Sequence, residues 1–310
     1  MPCVSTLVAI VGPTAVGKTE LALELADQLP LEVVNADSRQ VYRYMDIGTG
    51  KPSREEQRRV PHHVIDVAAP DEVFSLATYD KLASHAFDAI RGRGKLPLLV
   101  GGTGQYVWSL LEGWRVPHVP PDPEFRKTSE EVAVRRGSLY LHEELRRIDP
   151  VAANRIQATN VRRVIRALEV HRATGELPSR ILWKRNNGGY KSLIIGLTMK
   201  REMLLARADA RIDRMIRQGF ADEVRWLLER GYDETLPAMS SIGYREMIAY
   251  VRGQSSLSGA VTMIQRETRR LMRRQRAWFR ADDPRIQWLD HGSRDQATSD
   301  ALRLIQGVAR

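Results

Sequence analysis

Residues Gly12-Pro13-Thr14-Ala15-Val16-Gly17-Lys18-Thr19 follow the pattern G-x-x-x-x-G-K-[ST]. Those types at that spacing do phosphate chemistry. The glycines let the backbone curl so that successive N–H groups converge on phosphate oxygens, and a helix opening at the loop adds its positive dipole end. Lys18 contributes a point charge, and the Thr19 hydroxyl is suited to a Mg2+ ligand position. The loop therefore predicts a diphosphate or triphosphate ligand without specifying the reaction.

A second set of polar residues, Asp37-Ser38-Arg39-Gln40, follows an apolar run at 31–35. A carboxylate there either accepts a proton from a bound nucleophile or caps a turn. Ser38, Arg39 and Gln40 offer donors and acceptors to a base edge or a phosphate. Gly101-Gly102-Thr103-Gly104 closes another apolar run, and its hydroxyl either reaches a reacting centre or caps a turn. His62 and His63 are adjacent, but no third ligand stands at a metal-site spacing, so they are expected to be structural.

The elements that must position these groups are legible as alternating strand and helix signals. Apolar runs at 7–11, 31–35, 64–67, 97–100, 193–197 and 286–289 read as strands, with helical periodicity at 21–29 and 76–90 between them. Such alternation predicts parallel strands joined by crossover helices, with ligands at the carboxyl ends of the strands. Four prolines between 116 and 123 predict a linker, residues 124–186 read as Arg- and Glu-rich helices, and Asn186-Asn187-Gly188-Gly189 marks a second break. The fold class expected is α/β, a P-loop NTPase-like parallel sheet core at 1–119 and 191–310, interrupted by a helical insertion domain at 120–190.

Composition narrows the partners. The 310 residues hold 48 Lys+Arg against 38 Asp+Glu, a net charge of +10, and are 43% hydrophobic. That describes a globular chain with an acidic partner. A lone cysteine, Cys3, excludes an intrachain disulfide and a cysteine-built metal site. No run approaches the roughly 18–20 apolar residues of a membrane span, so no membrane partner and a cytoplasmic location are expected. Between 266 and 280 stand seven arginines and one glutamate. One-signed density of that kind points to nucleic acid. Arg162, Arg163 and Arg166 form a second basic group on a helix with an apolar stripe.

With these motifs in place, the chain resembles the bacterial tRNA dimethylallyltransferases (tRNA isopentenyltransferases). The resemblance rests on GPTAVGKT at 12–19, NADSRQVYRYMDIGTGKP at 35–52, HHVID at 62–66, GGTGQY at 101–106, RRVIRALEV at 162–170, RIDRMIRQGFADEV at 211–224, SIGYREM at 241–247 and the segment ending in WFR at 278–280. Gln105 replaces a more usual hydrophobic residue, and Asn160 a more usual aspartate. The resemblance implies transfer of a dimethylallyl group from dimethylallyl diphosphate to the exocyclic N6 amine of the adenine 3' to the tRNA anticodon. It implies Asp37, Thr103 and Lys18 as catalytic residues and Gly12 through Thr19 with Arg211 as diphosphate-binding, Thr19 also holding Mg2+. It implies contacts to the tRNA anticodon stem-loop from Asp37, Ser38, Arg39, Gln40, Thr103, Arg126, Arg162, Arg163, Val164, Ile165, Arg166, Arg273 and Arg274. The insertion and the Arg-rich segment are then expected to grip the stem from two sides, in a monomer. ATP is expected to enter such a loop only weakly. A metabolite kinase, or a transferase acting on free adenine nucleotides, would not need the insertion or the basic segment. A non-catalytic RNA-binding module would not need Lys18, Thr19 and Asp37.

Overall fold

The computed structural model describes residues 6–114, 117, 119–181 and 191–309. The chain divides into two compact units, Met1–Leu111 with Tyr190–Arg310, and Glu112–Gly189.

The first unit is built on a parallel sheet. Its strands are β1 (Leu7–Val11), β2 (Leu31–Ala36), β3 (His62–His63), β4 (Leu96–Gly101), β5 (Ser192–Thr198) and β6 (Ile286–Asp290), in the order β3-β2-β4-β1-β5-β6. The register aligns their carboxyl ends. Val11 is paired with both Gly101 and Gly196, and Ala36 with Gly101. The turns leaving β1, β2 and β4 therefore start side by side. Alternation along the strands puts Val8, Ile10, Val33, Leu98 and Ile195 on one face, against Leu21 and Leu25 of the helix Lys18–Ala26 and Ile305 near the C terminus. The residues between them, such as Ala9, Val34, Leu99 and Ile194, are buried as well. Burial on both faces is what a parallel sheet covered by helices requires. The helix Leu76–Gly92 is capped by Ser75, whose side chain accepts the Thr78 N–H, and buries Tyr79, Ala83, Ala86, Phe87 and Ile90. At the start of β2, Glu32 is almost wholly buried. Burial alone would raise its carboxyl, but hydrogen bonds from Arg93, His63 and Lys95 outweigh this and hold it at about 2.

The third strand differs from expectation. It occupies His62–His63 rather than 64–67, because Val64 and Asp66 turn into the left-handed region at φ 59° and 55°. The histidines are structural: His62 Nδ1 meets the Val60 carbonyl at 2.7 Å and His63 Nε2 meets Glu32 at 2.7 Å.

The second unit is helical and has its own core, in which Leu141, Leu145, Ile156, Val164, Ile165 and Leu168 meet. Its boundary, Glu112, lies eight residues before the expected 120. Of the prolines that follow it, Pro120 and Pro121 lie in irregular backbone. Pro123 opens the helix Pro123–Arg136, and Asp122 caps it by accepting the Phe125 N–H at 2.9 Å. Asn160 caps the helix Val161–Thr174 in the same way. The expected break at 186–189 and Cys3 lie outside the described residues. Among the described residues, no helix is long and apolar enough to cross a membrane.

Candidate active site

The phosphate loop joins β1 to the helix Lys18–Ala26. Gly12 and Gly17 adopt φ of 146° and 108°, which only glycine takes without strain. At Gly17 a Cβ would also overlap the His291 ring. Ala15 is left-handed at φ 66°, a strained state for a residue with a side chain. It is pinned by Arg207, whose Nε donates to the Ala15 carbonyl at 3.1 Å and which pairs with Glu20. Lys18 folds back over the loop, Nζ donating to the carbonyls of Gly12 (3.0 Å) and Pro13 (2.8 Å). Burial lowers its pKa to about 8. The negative charge of Asp37 opposes that shift, and the positive charge of Arg211 adds to it.

Asp37 leaves β2 at the same edge. Its backbone N–H donates to Asn35 Oδ1, and its Oδ1 accepts the Arg39 N–H at 2.9 Å. The carboxylate thus caps a turn with one oxygen while its charge acts on Lys18 and Arg211. Thr103 comes from the neighbouring turn after β4. Its N–H donates to the Ala36 carbonyl, and its Oγ1 accepts the Ser38 N–H at 3.0 Å. A hydroxyl that accepts in this way keeps its own proton to donate elsewhere. The structure therefore brings Lys18, Asp37, Thr103 and Arg211 to one edge of the sheet.

Arg211 belongs to the helix Arg201–Arg217 and donates to the Thr49 carbonyl at 3.0 Å. Gln40 donates to the Gly50 carbonyl at 3.1 Å. Both side chains therefore hold the 46–51 loop. Arg39 is exposed, its guanidinium 3.4 Å from the Pro237 carbonyl, and Ser38 is half-buried.

Two residues absent from the expected site organise it. Glu223 accepts the N–H groups of Asp46, Ile47 and Gly48 at 2.8, 2.7 and 3.1 Å, and the Tyr244 hydroxyl at 2.7 Å. One carboxylate thereby fixes the loop that Arg211 reaches. Gln275, on the helix Leu257–Trp278, accepts the Thr14 N–H at 2.8 Å and donates to the Gly102 carbonyl at 3.2 Å. No residue-type signal marks Gln275 in the sequence; the fold buries it between Met272 and Phe279 among exposed arginines.

Beside Gly12 and Pro13 opens a cavity of about 820 Å³ with Leu197, Met272, Phe279 and Trp288 in its lining. Arg269, Arg273, Arg276 and Arg280 line it too. Arg273 and Arg274 are exposed and have no ion-pair partner among the described residues. By contrast, Arg269 pairs with Asp209, Arg270 with Glu267 and Arg280 with Asp282.

In the helical unit the expected RNA contacts separate by burial. Arg162 and Arg163 are exposed. Val164 and Ile165 are not available to RNA: at 0% and 3% exposure they form the unit's core. Arg126 and Arg166 are committed to Glu169, which is buried at 2% exposure. Arg126 meets both its oxygens at 2.8 Å, Arg166 meets one at 2.5 Å, and the Asp122 N–H donates to it at 2.8 Å. Arg166 also donates to the Val119 carbonyl. An apolar stripe with period 3.6 places neighbours of the RRVIR string on opposite faces.

Comparison with known proteins agrees with this geometry. Residues 40–282 match the sequence profile of a family described as "IPP transferase", and residues 5–67 match one described as "Isopentenyl transferase". A tRNA dimethylallyltransferase from Chloroflexus aurantiacus is 54% identical over 88% of this chain and 92% of its own. One from Carboxydothermus hydrogenoformans is 44% identical over 92% of each. The crystal structure of a full-length tRNA isopentenylpyrophosphate transferase from Bacillus halodurans aligns over 98% of this chain and 96% of its own, with 40% identity and a TM-score of 0.72. A eukaryotic dimethylallyltransferase acting on tRNA aligns over 96% of this chain and 77% of its own, with 27% identity and a TM-score of 0.76. The phosphate loop, the two strand-end turns beside it and this breadth of similarity lead to one assignment: the chain belongs to the IPP transferase family.

Proposed function

We propose that this chain transfers the dimethylallyl group of dimethylallyl diphosphate to the exocyclic N6 amine of the adenine 3' to the tRNA anticodon. The observation that carries the reading is the alignment of three turns at one sheet edge. The loop holding Lys18 is a binding place for a diphosphate leaving group. Asp37 and Thr103, on the adjacent turns, can act on the nucleophile.

In the reaction the bond between the prenyl carbon and the diphosphate oxygen breaks, a bond from N6 to that carbon forms, and N6 gives up a proton. Negative charge builds on the departing diphosphate. The loop amides and the Lys18 ammonium oppose it from fixed positions, so no reorganisation is needed at that moment. Lys18 need only exchange the carbonyls of Gly12 and Pro13 for phosphate oxygens. Arg211 adds positive charge on the same side. The N6 lone pair is delocalised into the adenine ring, so the amine is a poor nucleophile. Asp37 takes its proton as the new bond forms. Thr103 orients the substrate through the hydroxyl proton that its bond to Ser38 leaves free. The adenine reaches these groups by leaving the loop stack. The arginine-lined cavity beside Gly12 and Pro13 is a route by which the diphosphate and its apolar tail reach the loop.

Thr19, the second residue of the loop helix, supplies a hard oxygen suited to Mg2+. Among the described residues, no group of three or more His, Cys, Asp or Glu side chains could hold a metal. Thr19 would therefore hold such an ion through its hydroxyl, beside the loop proposed to bind the diphosphate. Its chemistry there would be to neutralise charge on the leaving group.

The test is single-turnover transfer by Asp37→Ala with saturating tRNA. Loss of a general base costs about 10²–10⁴-fold. The rate should fall by that order with diphosphate affinity preserved. A variant keeping more than half the parent rate would remove Asp37 from the mechanism.

A further inference from the structure

We propose that Gln275 is a positioning residue of the transfer reaction. Its carboxamide joins the phosphate loop to the Gly102 turn and ties both to the arginine-bearing helix, so that RNA held by the helix sets the geometry of the loop. The proposal rests on the tRNA reading above.

Gln275 sits on the buried stripe of the helix Leu257–Trp278, in line with Ile264, Met272 and Phe279, where an apolar side chain would be ordinary. A primary amide at 7% exposure must find partners, and this one uses both ends. Its oxygen takes the Thr14 N–H and its nitrogen gives to the Gly102 carbonyl. The fit is close enough that a Cβ on Gly102 would overlap Gln275 Nε2. Farther along the helix, a Cβ on Gly104 would overlap Trp278, and the Trp108 Nε1–H donates to the Trp278 carbonyl at 3.0 Å. The last turns of the helix are therefore docked on the turn that carries Thr103. Arg273, Arg274 and Arg276 stand on the exposed side of those turns. A helix is stiff over so short a span, so a shift imposed on the arginines by a polyanion is carried to the amide one or two residues away. The amide in turn holds one loop N–H away from the anion and fixes the direction of the next. Tight positioning of this kind matters because a misplacement of about 1 Å can cost on the order of 100-fold in rate.

The experiment uses the full chain with Gln275→Met, which keeps the length and removes both hydrogen bonds, and Gln275→Glu, which keeps the acceptor for Thr14 and removes the donor to Gly102. Inorganic diphosphate is titrated into each protein with and without saturating unmodified tRNA, and kcat and KM are measured with dimethylallyl diphosphate. In the parent, tRNA is expected to change diphosphate affinity by about fivefold or more, the lower range of coupling between sites. In Gln275→Met that ratio should collapse to within about twofold, and kcat should fall by about tenfold or more, with tRNA affinity within about threefold of the parent. Gln275→Glu should fall between the two. A merely structural glutamine would lower the folded fraction without changing the ratio. A ratio unchanged in either folded variant, no coupling in the parent, or failure of both variants to fold overturns the proposal. A parent that transfers no prenyl group to tRNA overturns the underlying reading instead.

Discussion

Lys18 holds its charge in surroundings that disfavour it. The unfolded chain keeps that proton up to about pH 10.5 and the folded chain only up to about 8, so the unfolded state binds more protons between those values. Stability therefore rises with pH across the interval and is lowest, in this contribution, below pH 8. Lys18→Met should be more stable than the parent at pH 7 by about 3 kcal/mol, with the gap closing toward pH 10.5. The same variant should lose diphosphate affinity, and the parent's affinity should decline as pH rises past 8. Urea unfolding at pH 7 and pH 10, with diphosphate titrations from pH 6 to 9, checks both. A gap that widens with pH would show that Lys18 is stabilised by the loop carbonyls rather than strained there. The phosphate loop was legible at this scale because its backbone demands glycine at two fixed places and its ligand demands a lysine. Gln275 and Glu223 were not, because what they bind is backbone N–H and C=O groups. Those partners stand far away in the sequence and leave no residue-type signature.

At the scale of elements, the strands were legible from apolar runs, and β3 shows the limit of that signal. Val64 and Val67 have strand-forming side chains, yet Val64 and Asp66 are left-handed, and the chain pairs two residues earlier. The helix Val161–Thr174 shows a second limit. Arg162, Arg163 and Arg166 form one basic group in the sequence, whereas the fold leaves only Arg162 and Arg163 exposed. Arg166, expected to contact RNA, is paired here with Glu169. That carboxylate is subject first to burial, which would raise its pKa. Hydrogen bonds from Arg126, the Asp122 N–H and Arg166 prevail and hold it below the usual value. Glu169→Ala should cost the helical unit about 2–3 kcal/mol, less than a fully buried pair because both arginines keep some contact with water. Hydrogen exchange should quicken at amides in 141–168 with diphosphate binding intact. Unchanged exchange there would mean that Glu169 does not organise the unit and that Arg126 and Arg166 are available to RNA.

For the whole molecule, the division into a sheet unit and a helical unit followed from where strand signals stop and resume. Its first boundary did not: the helical unit begins at Glu112, ahead of the prolines, of which Pro123 opens a helix. Net charge of +10, and Arg273 and Arg274 without ion-pair partners among the described residues, fit an RNA-sized acceptor, and the phosphate loop fits a diphosphate donor. A small-molecule kinase would share the loop and discard the rest. The two readings part most directly when the full chain is given dimethylallyl diphosphate labelled in the prenyl group, unmodified tRNA and Mg2+, and in a parallel reaction ATP labelled at the γ-phosphate without tRNA. The account predicts prenyl label on the adenine 3' to the anticodon, released as an N6-substituted nucleoside on digestion, with one diphosphate formed per label and no phosphoryl transfer from ATP. Prenyl label absent from tRNA, or appearing on free adenine nucleotides in preference to tRNA, would contradict it.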